Sequence, residues 1–120
     1  GRADDFIIRG GKNISGPAVE EAVTSHPAVR LAAVVGMPDP TYGERACAFV
    51  ELRSGFGLEL SELVDHLRDR GVSVENWPEK LVVKQEIPRG SGGKVAKGAL
   101  RREIKMLLES ESIQKVSEID

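Results

Sequence analysis

Apolar positions along this chain follow two rhythms, and the changes between them mark its elements. Phe6-Ile7-Ile8 and Lys12-Asn13-Ile14 flank Gly10-Gly11, the pattern of a short β-hairpin with glycines in its turn. Gly16-Pro17 then opens a helix, with proline in the first turn and Glu20 and Glu21 toward the positive end of its dipole. Val19, Ala22 and Val23 give that helix a buried stripe, and His26-Pro27 ends it. The nearly unbroken apolar run from Val29 to Met37 reads as a central strand. Pro38 to Gly43 is a tight connection into a second strand, Arg45 to Leu52, expected to lie antiparallel to the first. Ser61 is the expected cap of a helix running to Arg70, with Leu63, Val64 and Leu67 inside and Gly71 as the stop. Leu81-Val82-Val83 predicts a third strand. Leu100, Ile104, Leu107 and Leu108 predict a last helix over about Val95 to Leu108.

Strands and helices intermix, so the expected class is α+β: an N-terminal β-hairpin followed by a three-stranded, mainly antiparallel sheet packed with helices. The expected organisation is a linker over 1–5, a domain over 6–108 and a polar tail over 109–120, read as a frayed helix end or disorder. Composition adds exclusions. The 120 residues suffice for one core, and a net charge of -2 leaves no electrostatic footprint for nucleic acid. Three Phe, one Tyr and one Trp are too few for a base-stacking platform. One Cys and two His exclude an internal disulfide and give no metal-ligand cluster. No apolar run is long enough for a membrane span, and no signal-peptide pattern opens the chain, so the cytoplasm is the expected compartment. The abrupt, Met-less start at Gly1-Arg2-Ala3-Asp4-Asp5 reads as a piece of something longer; a processed or tagged protein is the alternative.

The chemistry concentrates in Pro88-Arg89-Gly90-Ser91-Gly92-Gly93-Lys94. Three glycines in four positions let the backbone take unusual dihedrals and approach a ligand closely, and the lysine that follows can deliver a positive charge to an anion. Taken alone, the same residue is more readily a solvated surface lysine. Arg9-Gly10-Gly11-Lys12 is a second basic glycine turn. Two such elements in one small domain point to a part that moves onto a phosphate- or carboxylate-bearing substrate.

Gly1-Arg2-Ala3-Asp4-Asp5-Phe6-Ile7, Arg9-Gly10-Gly11-Lys12-Asn13-Ile14, Val19-Glu20, His26-Pro27-Ala28-Val29, Val34 to Asp39, Gly43-Glu44, and Pro88-Arg89 with Gly93-Lys94 stand in the order seen in the adenylate-forming family. That family holds acyl- and aryl-CoA synthetases, nonribosomal-peptide adenylation domains and firefly-type luciferases. The chain resembles its small C-terminal domain over roughly residues 1–103. The resemblance implies a carboxylic acid attacking the α-phosphate of ATP-Mg2+, then a thiol, usually of CoA, displacing AMP. It also implies a large N-terminal domain as partner, holding most of the ATP, Mg2+ and acid contacts, over which the small domain swings between two poses. The fragment by itself is expected not to turn over.

Carried over residue by residue, Lys94 matches the catalytic lysine, and a protein acetyltransferase acting on it is a further implied partner. Asp4 matches the hinge, with a role-free linker aspartate as the alternative. Arg2 matches a nucleotide-contacting arginine, or is a plain surface charge. Gly10 and Gly11 match the hairpin that lines the pantetheine tunnel of CoA, and they also meet ordinary turn requirements. Lys12 meets nucleotide or CoA phosphates, or is a rim lysine. Lys97 and Arg101 are expected to face solvent or to meet a CoA phosphate. Trp77 and Cys47 are expected to pack. The sequence departs from the family where Gly90 and Gly92 replace the usual Thr and Ser, predicting a looser loop. It departs again at Ala18, at the proline shifted to Pro17, and at Asn76-Trp77. An acyl- or aryl-CoA ligase is the leading expectation. The alternatives are the lid of an enzyme loading an acyl carrier protein, and a non-catalytic protein-binding module.

Overall fold

The computed structural model describes residues 6–119. Strands β1 (Phe6–Arg9) and β2 (Lys12–Ser15) form the hairpin, with Ile7 opposite Ile14 and Arg9 opposite Lys12. Helix α1 (Gly16–Thr24) follows at once, because the Ser15 hydroxyl accepts the Ala18 N–H and Pro17 sits where a helix needs no donor. Strands β3 (Val29–Asp39) and β4 (Gly43–Leu52) pair antiparallel along their whole length. The Asp39 carboxylate closes the turn between them by accepting the N–H groups of Thr41 (3.0 Å) and Tyr42 (2.8 Å). Helix α2 (Leu60–Asp69) leads through a 3-10 turn, Val74–Asn76, to β5 (Lys80–Val83), and α3 (Lys97–Ile119) closes the chain.

The hairpin and the three later strands form one five-stranded sheet. β3 occupies one edge of β4. The other edge is shared by β1, which meets the start of β4 at Gly43, and by β5, which runs parallel to Cys47–Val50 further along. The crossover through α2 makes that parallel pairing possible. Ala46 to Glu51 are buried in succession, since both faces of β4 are covered. On one face Val34, Ala46, Ala48 and Val50 pack against Val19 and Val23 of α1 and Leu63 and Leu67 of α2. On the other, Val35, Cys47 and Phe49 pack against Ile87 and against Leu100 and Ile104 of α3.

Four local expectations change. Ser61 lies inside the first turn of α2; the N-cap is Glu59, whose N–H is accepted by the Glu62 carboxylate at 3.0 Å. Glu20 lies past the first turn of α1, and its carboxylate accepts the Val34 N–H (2.8 Å) rather than serving the dipole. The last helix continues well past Leu108, and an ion pair between Lys80 and Glu111 (3.0 Å) ties its polar part back to β5. Lys97 does not face solvent as expected: its side chain is largely buried in an ion pair with Glu20 (2.7 Å). Among the described residues no helix is long and apolar enough to cross a membrane.

Candidate functional site

Lys94 follows a 3-10 turn, Ser91–Gly93, in which Gly92 (φ 71°) and Gly93 (φ 77°) take left-handed dihedrals that a side chain would resist. The loop is closed by its own backbone. Gly90 N–H bonds the Lys94 carbonyl (2.6 Å), Gly93 N–H bonds Gly90 (3.2 Å), and Ala96 N–H bonds Pro88 (2.9 Å). Arg89 bridges to Val95 through its backbone, and its guanidinium donates to the Gly93 carbonyl at 3.2 Å. The Lys94 side chain is exposed, and among the described residues it has no hydrogen-bond or ion-pair partner. Its ammonium is therefore available to an incoming anion.

At the hairpin tip Gly10 (φ 58°) and Gly11 (φ 86°) make the reversal. Gly10 N–H bonds the Tyr42 carbonyl at 2.8 Å, whereas a Cβ on Gly11 would meet nothing within 4 Å. The outer surface of the turn at Gly11 is thus open. Lys12 pairs with Glu75 on the 3-10 turn; the Lys12 ammonium, through that hydrogen bond, holds the Glu75 carboxyl below its usual range. Lys12, Arg9, Asn13, Glu75 and Asn76 line a cavity of about 400 Å³ beside the hairpin.

Sequence reasoning missed what holds the hairpin in place. Tyr42 lies between two guanidinium groups, with Arg9 4.0 Å and Arg45 5.0 Å from its ring centroid. Arg9 pairs with Glu79 (2.8 Å) and Arg45 with Asp39 (2.9 Å). The Tyr42 N–H, then the Thr41 N–H and Arg45, lower the Asp39 pKa, and Glu79 raises that of Arg9. Arg9 was visible as part of a glycine turn, but nothing in the sequence joins it to Glu79. Trp77 packs as expected and its Nε1–H donates to the Val72 carbonyl (2.8 Å). Cys47 is buried, which pushes its thiol up to about 12 and leaves it inert.

The structure does not bring the two basic glycine elements together. The hairpin tip meets β4 at Gly43. The segment leading to Lys94 meets β4 at its far end, where Ile87 N–H donates to the Glu51 carboxylate at 2.7 Å. Gly43 and Glu51 lie about 27 Å apart at the rise of an extended strand. The hairpin and the segment that leads into the Lys94 loop thus attach at opposite ends of β4. Arg2 and Asp4 lie outside the described residues.

The family described as AMP-binding enzyme C-terminal domain matches residues 18–94. The chain is 38% identical over 117 residues to the medium-chain fatty-acid–CoA ligase of Escherichia coli (strain K12), covering 97% of this chain and 21% of that protein. It is 39% identical over 104 residues to the salicyl-AMP ligase / salicyl-S-ArCP synthetase of Mycobacterium tuberculosis, covering 87% of this chain and 18% of that one. The apo structure of MbtA from Mycobacterium smegmatis superposes with a TM-score of 0.78 at 41% identity, over 85% of this chain and 19% of that one. The chain thus spans about a fifth of the length of the curated relatives it matches.

Proposed function

The chain belongs to the AMP-binding enzyme C-terminal domain family, and from that membership we propose that it is the mobile lid of an ATP-dependent acid–thiol ligase. A large N-terminal domain supplies the acid pocket and the Mg2+-ATP contacts. Residues 1–5 form the hinge linker, with Asp4 as the pivot and Arg2 on the nucleotide; 6–108 form the lid and 109–120 the tail.

The observation that carries this reading is that the glycine hairpin and the segment leading into the Lys94 loop attach at opposite ends of β4. A rigid body with two working ends can present only one at a time to a fixed site, and a rotation about the linker exchanges them. In the first pose Lys94 brings its ammonium between the attacking carboxylate and the α-phosphate. It offsets their repulsion and stabilises the charge that builds on the phosphate oxygens, and losing one such donor costs about 10²–10³ in rate. In the second pose the open face of the hairpin at Gly11, next to Gly10, lets a narrow pantetheine arm pass, with Lys12 at the rim. CoA and an acyl carrier protein both bear that arm. The CoA acceptor is favoured by the fatty-acid–CoA relative, and the carrier reading by the relative whose name includes an S-ArCP synthetase. Exposed Lys94 is open to an acetyltransferase, and acetylation there would remove the charge.

The test uses the intact ligase. Lys94→Ala should lower acid-dependent pyrophosphate exchange by about 10²–10³-fold and leave thioester formation from supplied acyl-adenylate nearly unchanged. Equal loss in both half-reactions would refute the two-ended lid. Offering CoA against a carrier-protein thiol identifies the acceptor.

A further inference from the structure

Beside the Lys94 loop lies a concavity that neither half-reaction uses. It opens between the end of β4, the turn after it and the segment following β5, with a volume of about 820 Å³. Small-molecule sites span about 300–1,000 Å³. Its lining carries Arg30, Arg53, Lys84 and Arg89 against Glu51 and Glu86, a local excess of positive charge in a chain whose net charge is -2.

The carboxylate beneath this basin is already committed. Glu51 is only 4% exposed; one oxygen accepts the Ile87 N–H and the other the Arg30 guanidinium, each at 2.7 Å. Lys84 is paired with Glu103 (2.6 Å). Among the described residues Arg53 and Arg89 form no ion pair with a carboxylate, although the Arg89 charge reaches Glu51 and favours its ionised form. Arg53 has no side-chain partner among the described residues, and Arg89 donates only to the neutral carbonyl of Gly93. An exposed arginine alone means little, but here an aromatic ring accompanies it. Phe56 is 52% exposed, and its N–H bonds the Arg53 carbonyl (3.1 Å), so one tight turn presents both the ring and the charge to the basin. A flat apolar wall beside convergent guanidinium groups suits a ligand with a ring at one end and phosphates at the other.

We propose that this basin binds a nucleotide-class polyphosphate, with Arg53 and Arg89 on the phosphates and Phe56 against the ring. Arg89 serves both the basin and the Gly93 carbonyl, so its recruitment by a ligand shifts the backbone that carries Lys94.

The proposal is independent of the adenylation reading, and its test omits the large domain. The 120-residue chain, whose two cores close without another segment, is titrated with ATP and with inorganic tripolyphosphate while backbone amide shifts are followed. Saturable shifts are expected at Arg53, Phe56, Arg89 and Gly93. Arg53→Ala and Arg89→Ala should each weaken both probes about tenfold. Phe56→Ala should weaken ATP and leave tripolyphosphate unchanged, and Arg70→Ala, outside the basin, should leave both unchanged. Absence of saturable shifts at millimolar probe, or shifts insensitive to Arg53 and Arg89, overturns the site. An ATP affinity unmoved by Phe56→Ala overturns the nucleotide assignment, as does tighter binding of hexaglutamate at the same residues, which would make the basin a surface for an acidic protein.

Discussion

The Glu44 carboxylate lies directly against the α-carbon of Gly36: a Cβ built there would come within 2.5 Å of Glu44 Oε2. The other oxygen, Oε1, accepts the Ile8 N–H at 2.9 Å. β1 meets β4 at only one register pair, Arg9 with Gly43, so this side-chain bond extends the seam where backbone pairing stops. Gly36 supplies the room. Gly36→Ala should push the flexible carboxylate aside, with loss of the Ile8 bond and a cost of about 1 kcal/mol. Glu44→Ala should cost a similar amount, and the double variant clearly less than the sum. Urea unfolding of the four proteins measures this coupling; strict additivity would show that the two residues do not share one interaction.

Gly11 separates folding from function at the hairpin. A left-handed backbone penalises any side chain by about 1–2 kcal/mol, but the space around Gly11 is open. Gly11→Leu should therefore fold with only that strain. In the intact ligase it should block thioester formation while pyrophosphate exchange persists, the reverse of Lys94→Ala. Gly10→Ala differs, because its Cβ would approach Tyr42 Cδ1 at 3.2 Å and disturb the hairpin itself. A Gly11→Leu enzyme with normal thioester formation would remove the hairpin from the second half-reaction.

The elements legible in the sequence are those whose signal is local or periodic. Gly10-Gly11 marked the hairpin, the run from Val29 marked a central strand, and Leu100 with Ile104 marked the inner face of α3. The Lys94 loop was legible because glycine spacing is written in consecutive residues. What stayed hidden depends on polar groups far apart in the chain: Arg9 with Glu79, Lys97 with Glu20, Ile8 with Glu44. Such pairs follow no period. The parallel pairing of β5 is hidden for a related reason, since a four-residue strand carries no mark of its partner's direction. Lys97 reads as a helix-surface charge in the sequence because its partner Glu20 is far away along the chain.

The outer edge of β3 yields a third prediction. β3 pairs only with β4, so its other side presents unpaired backbone groups, an invitation to strand addition. Glu20 reaches from α1 to take the Val34 N–H at 2.8 Å, and Lys97 reaches from α3 to the same carboxylate oxygen at 2.7 Å. The two side chains cross the open edge and tie both helices over it. Glu20→Ala should cost about 1–3 kcal/mol by leaving a part-buried donor unmet, and should promote concentration-dependent association. Sedimentation at rising protein concentration checks this; a variant that stays monomeric would show that the ion pair does not guard the edge.

Glu51 sets the acid sensitivity of the opposite end of the sheet. Its carboxyl is held below the ordinary value of 4.5, first by the Ile87 N–H and then by the hydrogen bond and charge of Arg30, against the opposing effect of burial. Between the depressed folded value and 4.5 the unfolded chain binds more protons than the folded one, so stability rises with pH across that window. The contribution is complete above 4.5 and disappears as pH falls through the folded value. Glu51→Gln should cost about 1–3 kcal/mol at neutral pH, and the gap to the parent should shrink on acidification below 4.5. Asp39, also shifted down by the N–H of Tyr42, keeps some acid sensitivity in the variant. Unfolding midpoints across the acid range read the effect. A gap that stays constant would mean that the Glu51 charge contributes nothing beyond what the amide supplies.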